Sequence, residues 1–189
     1  MKGTGKLFII SAPSGAGKTT LIRKVLNRFT SLSYSVSHTT RHPRTNEQEG
    51  RDYFFISPQA FEQKIAQGHW LEWAKVHGHY YGTAREFVKK SLAKGQSLLL
   101  DIDVQGAGQI MASDMDLVSI FIMPPSVDIL SQRLAGRGTD NTEVITRRLE
   151  NATAEMAQKD RYQYVVINDD LDEAIEALCS IFEREMGEP

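Results

Sequence analysis

An apolar stretch, Leu7 to Ile10, runs directly into Ser11-Ala12-Pro13-Ser14-Gly15-Ala16-Gly17-Lys18-Thr19-Thr20, and a segment carrying Leu21, Ile22, Val25 and Leu26 follows. A glycine-rich turn between a strand and a helix lets successive backbone N–H groups converge on an anion, and the positive end of the helix points at the same spot. In that setting Lys18 reaches the β- and γ-phosphates of a nucleotide, and the Thr19 hydroxyl can ligate Mg²⁺. The strict pattern begins with Gly where this chain has Ala12. An ordinary Gly-rich strand-to-helix turn is the plain alternative.

Two carboxylates follow the run Leu98-Leu99-Leu100: Asp101 and Asp103, two positions apart and so on one side of a strand. At the C-terminal edge of a parallel sheet, where such sheets bind ligands, one can hold Mg²⁺ through water while the other serves a second substrate. Asp103 can equally cap a helix around Ala107 to Met111. Upstream, Ser37-His38-Thr39-Thr40-Arg41-His42-Pro43-Arg44 sets two arginines three residues apart, stiffened by Pro43. Guanidinium forks match the oxygens of a doubly charged phosphate, and Tyr53 and Tyr81 can add phenolic donors. On their own, such arginines are more often solvated surface residues. Glu72 stands in Leu71-Glu72-Trp73-Ala74, a carboxylate between apolar neighbours whose plain alternative is the outward face of a strand.

These groups need a frame. Four apolar runs, Leu7 to Ile10, Leu98 to Leu100, Val118 to Ile122 and Val165 to Ile167, lack two-residue alternation and predict strands of a parallel sheet buried on both faces. Leu171, Ile175, Leu178 and Phe182 predict a helix with one apolar stripe against that sheet, Cys179 lying beside it as a small buried hydrophobe. From Ser37 to about Lys94 the texture changes. Tyr53 to Ile56 and Leu71 to Val76 read as short strands, separated by a helix that Ser57 caps with Pro58 at its first position. Thr83-Ala84-Arg85-Glu86 reads as a capping box for the next helix. The breakers from Gly136 to Asn141 suggest a hinge before a flap helix with Ile145, Leu149, Ala152 and Met156 on one side. Helix arithmetic sets Arg148 beside that stripe and Arg147 nearly opposite Ile145. The expected organisation is α/β: one domain over 1–189, a parallel sheet flanked by helices, an inserted α+β lobe over 37–94 and a mobile lid over 136–159.

Composition narrows the possibilities. The 189 residues suffice for one well-buried core and fall short of two ordinary domains. A formal charge of -2 argues against a general nucleic-acid binder, so any anion site must be local. With 41% hydrophobic and 24% charged residues, the chain reads as folded rather than disordered. A lone cysteine, Cys179, allows no intrachain disulfide, which fits a reducing compartment and makes cytoplasm the expectation. The early apolar run is too short for a signal-peptide core and no stretch approaches a membrane span, so neither export nor a membrane partner is expected. His38, His42, His69, His77 and His79 make no convincing metal constellation; His77-Gly78-His79 reads as a turn, and Trp70 and Trp73 as packing residues.

Taken together, the strings Ser-Ala-Pro-Ser-Gly-Ala-Gly-Lys, Thr-Thr-Arg-x-Pro-Arg, Arg-Asp-Tyr-Phe-Phe, Leu-Glu-Trp-Ala, Tyr-Tyr-Gly-Thr, Leu-Asp-Ile-Asp-Val-Gln-Gly, Pro-Pro-Ser, Arg-Leu-x-Gly-Arg-Gly and Val-Ile-Asn-Asp-Asp resemble the guanylate kinase family, the ATP-dependent GMP kinases. They occur in order from about Gly5 to Phe182. The resemblance implies the P-loop nucleoside monophosphate kinase fold, with 37–94 as the GMP-binding lobe. It implies that ATP is held by Ser11 to Thr20 and by the segment at Asn168, more through backbone than side chain. It further implies that Glu72 accepts from N1 and the 2-amino group of guanine, with Ser37 and Thr83 near O6 and Asp101 assisting. Arg41, Arg44, Tyr53 and Tyr81 would bind the GMP phosphate. Lys18, Arg41, Arg137 and Arg148 would act on the transferred group, Arg133 matches a further family arginine, and Thr19 and Asp103 would serve Mg²⁺. Thr19, Thr20 and Thr83 stand where serine is frequent in the family, and each keeps the hydroxyl.

The implied reaction is in-line transfer of the γ-phosphoryl group of Mg·ATP to GMP or dGMP, with no protein partner required. A guanylate-kinase-like binding module is the rival of another class, and Gly15, Gly17, Lys18 and Thr19 stand against it because the phosphate loop is intact. A regulatory GTPase would need an Asn-Lys-x-Asp segment, which the sequence lacks. A kinase for AMP or UMP remains open if Glu72 does not reach the base.

Overall fold

The structure, a computed structural model, describes residues 4–135 and 142–187. In chain order its elements are β1 (Leu7–Ser11), α1 (Lys18–Arg28), β2 (Leu32–Tyr34), β3 (His38–Thr39), β4 (Phe54–Phe55), α2 (Pro58–Ala66), β5 (Trp70–Val76), β6 (His79–Ala84), α3 (Arg85–Ala93), β7 (Ser97–Asp101), α4 (Val104–Met111), β8 (Leu117–Met123), α5 (Val127–Ala135), α6 (Thr142–Met156), a 3₁₀ turn (Lys159–Arg161), β9 (Tyr164–Ile167) and α7 (Leu171–Met186). Strands follow the order β2-β7-β1-β8-β9 in one sheet and β4-β3-β6-β5 in another, and the β2–β7 and β8–β9 pairs are parallel. The class is α/β, with a parallel sheet flanked by helices, as the apolar runs predict. The chain divides into two compact units, Met1–Ile9 with Ser31–Leu117 and Ile10–Thr30 with Val118–Pro189, so that β1 contributes to both.

In the first unit, the smaller sheet is built on a two-residue hairpin. His77 (φ 50°) and Gly78 (φ 84°) are both left-handed, the conformation that a tight antiparallel turn demands. That turn fixes the register: Val76 faces His79, Ala74 faces Tyr81, and Glu72 faces Thr83. Because alternate residues share a face, Glu72, Ala74, Tyr81 and Thr83 all project to one side. Behind them Phe61 of α2 stacks between Trp70 (centroids 4.3 Å) and Tyr80 (5.1 Å). The Ser57 hydroxyl accepts from Ala60 N–H with Pro58 at the first helical position, as expected. His38 lies against Phe54 and Trp70, and burial pushes its pKa down to about 4, so it packs as a neutral ring. Both tryptophans belong to the sheet, and Trp70 is buried in its core.

In the second unit, α7 packs on α1 and β9, while α5 packs on α6. Leu130, Leu134 and Ala152 form the α5–α6 core, with Leu149 and Met156 against it. Two expectations change here. On β9, Val165 is 43% and Ile167 61% exposed, because an edge strand leaves part of its surface uncovered. On α7, Leu171 is exposed and the buried stripe runs through Ala174, Leu178, Cys179, Ile181 and Phe182. Cys179 is thus part of the core.

Helix α7 begins at Asp170, whose Oδ1 accepts from the N–H groups of Asp172 (2.9 Å) and Glu173 (3.0 Å). Loss of that cap in Asp170→Ala is expected to destabilise the fold by about 1 kcal/mol. Urea titration checks it, and an unchanged midpoint would show the cap to be energetically idle.

Candidate active site

The second unit carries the phosphate loop. Ser11, the last residue of β1, is buried, Pro13 and Ala16 are buried, Ala12, Gly15, Gly17 and Lys18 are half-buried, and Ser14, Thr19 and Thr20 are exposed. Ala16 N–H donates to Pro13 O (3.1 Å), closing the turn that delivers the chain to Gly17. Gly17 caps α1 at φ 91°, a left-handed conformation in which glycine carries no steric penalty. No side chain caps α1 and no acid occupies its first turn, so no carboxylate of that turn opposes the positive end of the helix.

Asn168 braces this loop. Its Nδ2 donates to Ala16 O at 2.7 Å, and a Cβ at Gly17 would collide with the same amide. Its backbone is also engaged: N–H donates to Met123 O (2.8 Å), and its carbonyl accepts from Arg133 Nη2 (3.0 Å). Asn168 is therefore tied to the loop by its side chain, a role that the reading of the sequence did not assign. Arg148 is half-buried on α6 and Arg147 exposed, the relation that the helix arithmetic predicts. Arg137 lies outside the described residues, as do Gly136 and Gly138 of the expected hinge.

The first unit carries a basic and phenolic cluster beside a buried carboxylate. Arg41 Nε donates to the Tyr81 hydroxyl (3.2 Å), and its guanidinium lies 5.5 Å from the centre of the Tyr53 ring, which meets Tyr81 edge-on. Burial, with the Asp101 charge second, pushes the Tyr53 phenol up to about 12 and keeps it a donor at neutral pH. Arg44 is exposed. Glu47, not singled out in the sequence, organises the group. It accepts from Arg41 Nη2 through both oxygens (2.8 and 2.9 Å) and from Arg44 N–H (2.9 Å). The Arg41 hydrogen bonds hold its pKa below the ordinary value. Its sequence signal was an acid three residues after Arg44 in a basic loop.

Glu72 is 3% exposed, which removes the plain alternative of an outward-facing strand residue. Thr83 Oγ1 donates to Glu72 Oε1 at 2.6 Å. Burial raises the Glu72 pKa to about 7, the Thr83 hydrogen bond opposes that rise, and the Asp103 charge adds to it. The expected capping box is absent: Ala84 occupies the N-cap position of α3 with no side-chain cap, because the Thr83 hydroxyl is turned to Glu72. Ser37 is buried just before β3. Asp101 ends β7, where its charge acts on Tyr34 and Tyr53. Asp103 caps α4, its Oδ1 accepting from Gly106 N–H at 2.9 Å, as the sequence suggested.

Among the described residues, no group of three or more acidic, histidine or cysteine side chains is placed to hold a metal, and no helix is long and apolar enough to cross a membrane.

The family model described as guanylate kinase matches residues 4–185. A guanylate kinase of Dechloromonas aromatica is 48% identical over 94% of this chain and 88% of its own length. One of Neisseria gonorrhoeae is 51% identical over 90% of this chain and 83% of its own, and one of Thermotoga maritima 44% identical over 96% and 87%. The crystal structure of guanylate kinase from Anaplasma phagocytophilum superposes with a TM-score of 0.80 at 34% identity, covering 97% of this chain and 87% of that one. A match that runs from the phosphate loop through the last helix places the chain in one family: it belongs to the guanylate kinases.

Proposed function

We propose that the two sets of residues described above divide the work of one reaction, transfer of the γ-phosphoryl group of ATP to the phosphate of GMP or dGMP, giving ADP and GDP or dGDP. The chain is an ATP-dependent nucleoside monophosphate kinase of the guanylate type. The observation that carries the base assignment is the buried Glu72 carboxylate bonded by Thr83. Guanine presents adjacent donors at N1 and the 2-amino group, which an ionised carboxylate accepts together; adenine presents an acceptor there. Ser37 and Thr83 would serve O6, and Asp101 the amino group. The Arg41–Tyr81–Tyr53 cluster and Arg44 are suited to the acceptor phosphate, because guanidinium groups keep their charge and match its oxygens.

On the donor side, the loop from Ser11 to Thr20 and the first turn of α1 would cradle the ATP phosphates, with Lys18 neutralising the β- and γ-oxygens and Arg41, Arg137 and Arg148 aiding transfer. Asn168 would act by holding the loop in shape. The attacking phosphate oxygen is already ionised, so the chain needs no general base. Its residues align the two phosphates and offset their charge. Water must be excluded, since it would divert transfer to ATP hydrolysis, and a lid over 136–159 is assigned that task.

Mg²⁺ fits the residues present. Such an ion keeps several waters and takes substrate phosphates, with few protein ligands. Thr19 offers a hydroxyl in the first turn of α1, and Asp103, already committed to capping, would act through water. When bound, the ion would offset negative charge on the ATP phosphates. A reducing cytoplasmic setting, with ATP and GMP or dGMP as the small-molecule partners and neither nucleic acid nor membrane, completes the reading.

The direct test is ADP formation from Mg·ATP with GMP, dGMP, AMP, UMP and CMP. Guanine nucleotides should be preferred by about 10⁴ in kcat/KM, the discrimination available when a wrong base leaves buried polar groups unpaired. A preference for AMP or a pyrimidine nucleotide would overturn the assignment. Lys18→Ala should lower kcat by about 10² to 10³ with GMP binding by calorimetry retained, and near-normal turnover would remove its role.

The raised pKa of Glu72 predicts a pH dependence. Above about pH 7 the carboxylate is ionised and accepts both guanine donors; below it, the empty site is protonated and KM for GMP rises. Glu72→Gln should lose that inflection, which separates it from titration of the GMP phosphate. Stability has the opposite sign. A folded pKa above the ordinary 4.5 stabilises the protein fully at pH below 4.5, and that contribution is lost as pH rises through 7. The unliganded Gln variant should therefore gain stability relative to wild type between pH 5 and 8 in thermal melts, and a constant difference across that window would refute the shift.

A further inference from the structure

Helix α4 is unusually rich in glycine for its length, with Gly106 and Gly108 among the eight residues of Val104–Met111. Interior glycine costs a helix about 1 kcal/mol relative to alanine, so a glycine that packs closely needs a reason in its surroundings. At Gly106 the surroundings are polar. A Cβ built there would fall within forbidden distance of Glu72 Oε2, 3.0 Å from Glu72 Cδ and 3.2 Å from Asp103 Oδ1. Gly106 is buried, and its φ is not in the left-handed region, so the backbone itself does not require glycine.

The helix has little freedom to retreat. Gln109, one turn after Gly106 on the same face, clasps the backbone of Trp73: its Nε2 donates to Trp73 O (2.6 Å), and its Oε1 accepts from Trp73 N–H (3.2 Å). Trp73 is the neighbour of Glu72 on β5. At its other end α4 is fixed by the Asp103 cap on Gly106 N–H. The carboxylate has no better place to go, because Oε1 is engaged by Thr83, whose position is set by the β5–β6 register.

We propose that Gly106 is a specificity-determining position: the absent side chain leaves the space in which the Glu72 carboxylate sits to read guanine. It is a positioning residue acting through Glu72, and the proposal rests on the assignment of Glu72 to the base. Any side chain at 106 displaces Oε2 from its place opposite the N1 and amino donors, so base recognition suffers while the ATP half of the reaction is untouched.

A double-mutant cycle over Gly106→Ala and Glu72→Ala tests this, with KM and kcat for GMP, KM for ATP, and activity on AMP as readouts. Gly106→Ala in the native background should raise KM for GMP by about 10- to 100-fold, the range that overpacking a close contact costs, with KM for ATP within about twofold of wild type. In the Glu72→Ala background the same substitution should change KM for GMP by less than about twofold, since the group it collides with is gone. An equal effect of Gly106→Ala in both backgrounds, or none in the native one, would overturn the proposal. If Glu72→Ala alone left KM for GMP and the exclusion of AMP unchanged, the reading of Glu72 would fall and this one with it. Should Gly106→Ala alone fail to fold, the double variant should recover the folded state and activity of Glu72→Ala; its remaining unfolded would equally refute a clash with the carboxylate.

Discussion

The first unit is arranged around one expensive group, the Glu72 carboxylate, taken out of water with Thr83 as a hydrogen-bond donor and the charge of another acid, Asp103, acting on it. Burial of an ionised carboxylate without full compensation is costly, and a protein commonly responds by raising the pKa. That is the state of Glu72 here. A ligand that brings two donors to this oxygen pair restores what desolvation removed, and a ligand with an acceptor in the same place worsens it. On the role proposed for Glu72, selectivity would follow from how poorly the unliganded carboxylate is solvated, its cost in stability being the source of the discrimination.

The phosphate side solves a different problem, holding a backbone shape. Part of that shape is set by what abuts the loop. Asn168 Nδ2 fixes Ala16 O, and Leu130 and Leu134 lie so close to Gly15 that a Cβ would meet them at 2.9 and 3.0 Å. Arg133 in turn holds the carbonyl of Asn168. The loop is thus braced from β9's end and from α5. Preorganised N–H groups of this kind stabilise developing charge without reorganising during the reaction.

How much of this was legible in sequence depended on whether the signal was local. The phosphate loop was readable because strand, glycines, Lys18 and helix are contiguous, and Ser57-Pro58 and Asp103 were readable as caps for the same reason. Strands β3 and β6 and edge strand β2 escaped because two or three residues leave no periodicity, or because His79-Tyr80-Tyr81-Gly82 carries none. Burial of Glu72 was invisible: an acid in a strand reads as solvent-facing until the hairpin register and α4 enclose it. The same blindness applied to Gly106, whose meaning lies 34 positions away in sequence, at Glu72. Thr83 shows the limit most clearly, since its local pattern matched a capping box and a tertiary partner took the hydroxyl instead.

Two glutamates in this unit are set to opposite protonation behaviour by their neighbours, and the contrast explains why both are needed. Glu47 lies against Arg41, whose hydrogen bonds hold its pKa below the ordinary value, so it acts as a counter-charge that holds a cation in place. Glu72 is pushed towards neutrality by burial and by Asp103, so it becomes a committed acceptor only when donors arrive. Exchange of the two environments would defeat both: a neutral acid would leave Arg41 without its counter-charge, and a salt-bridged acid would have its oxygens already filled by guanidinium when a base approached. The side-chain chemistry is identical, and the division of labour is carried by distance to one arginine and by exclusion of water.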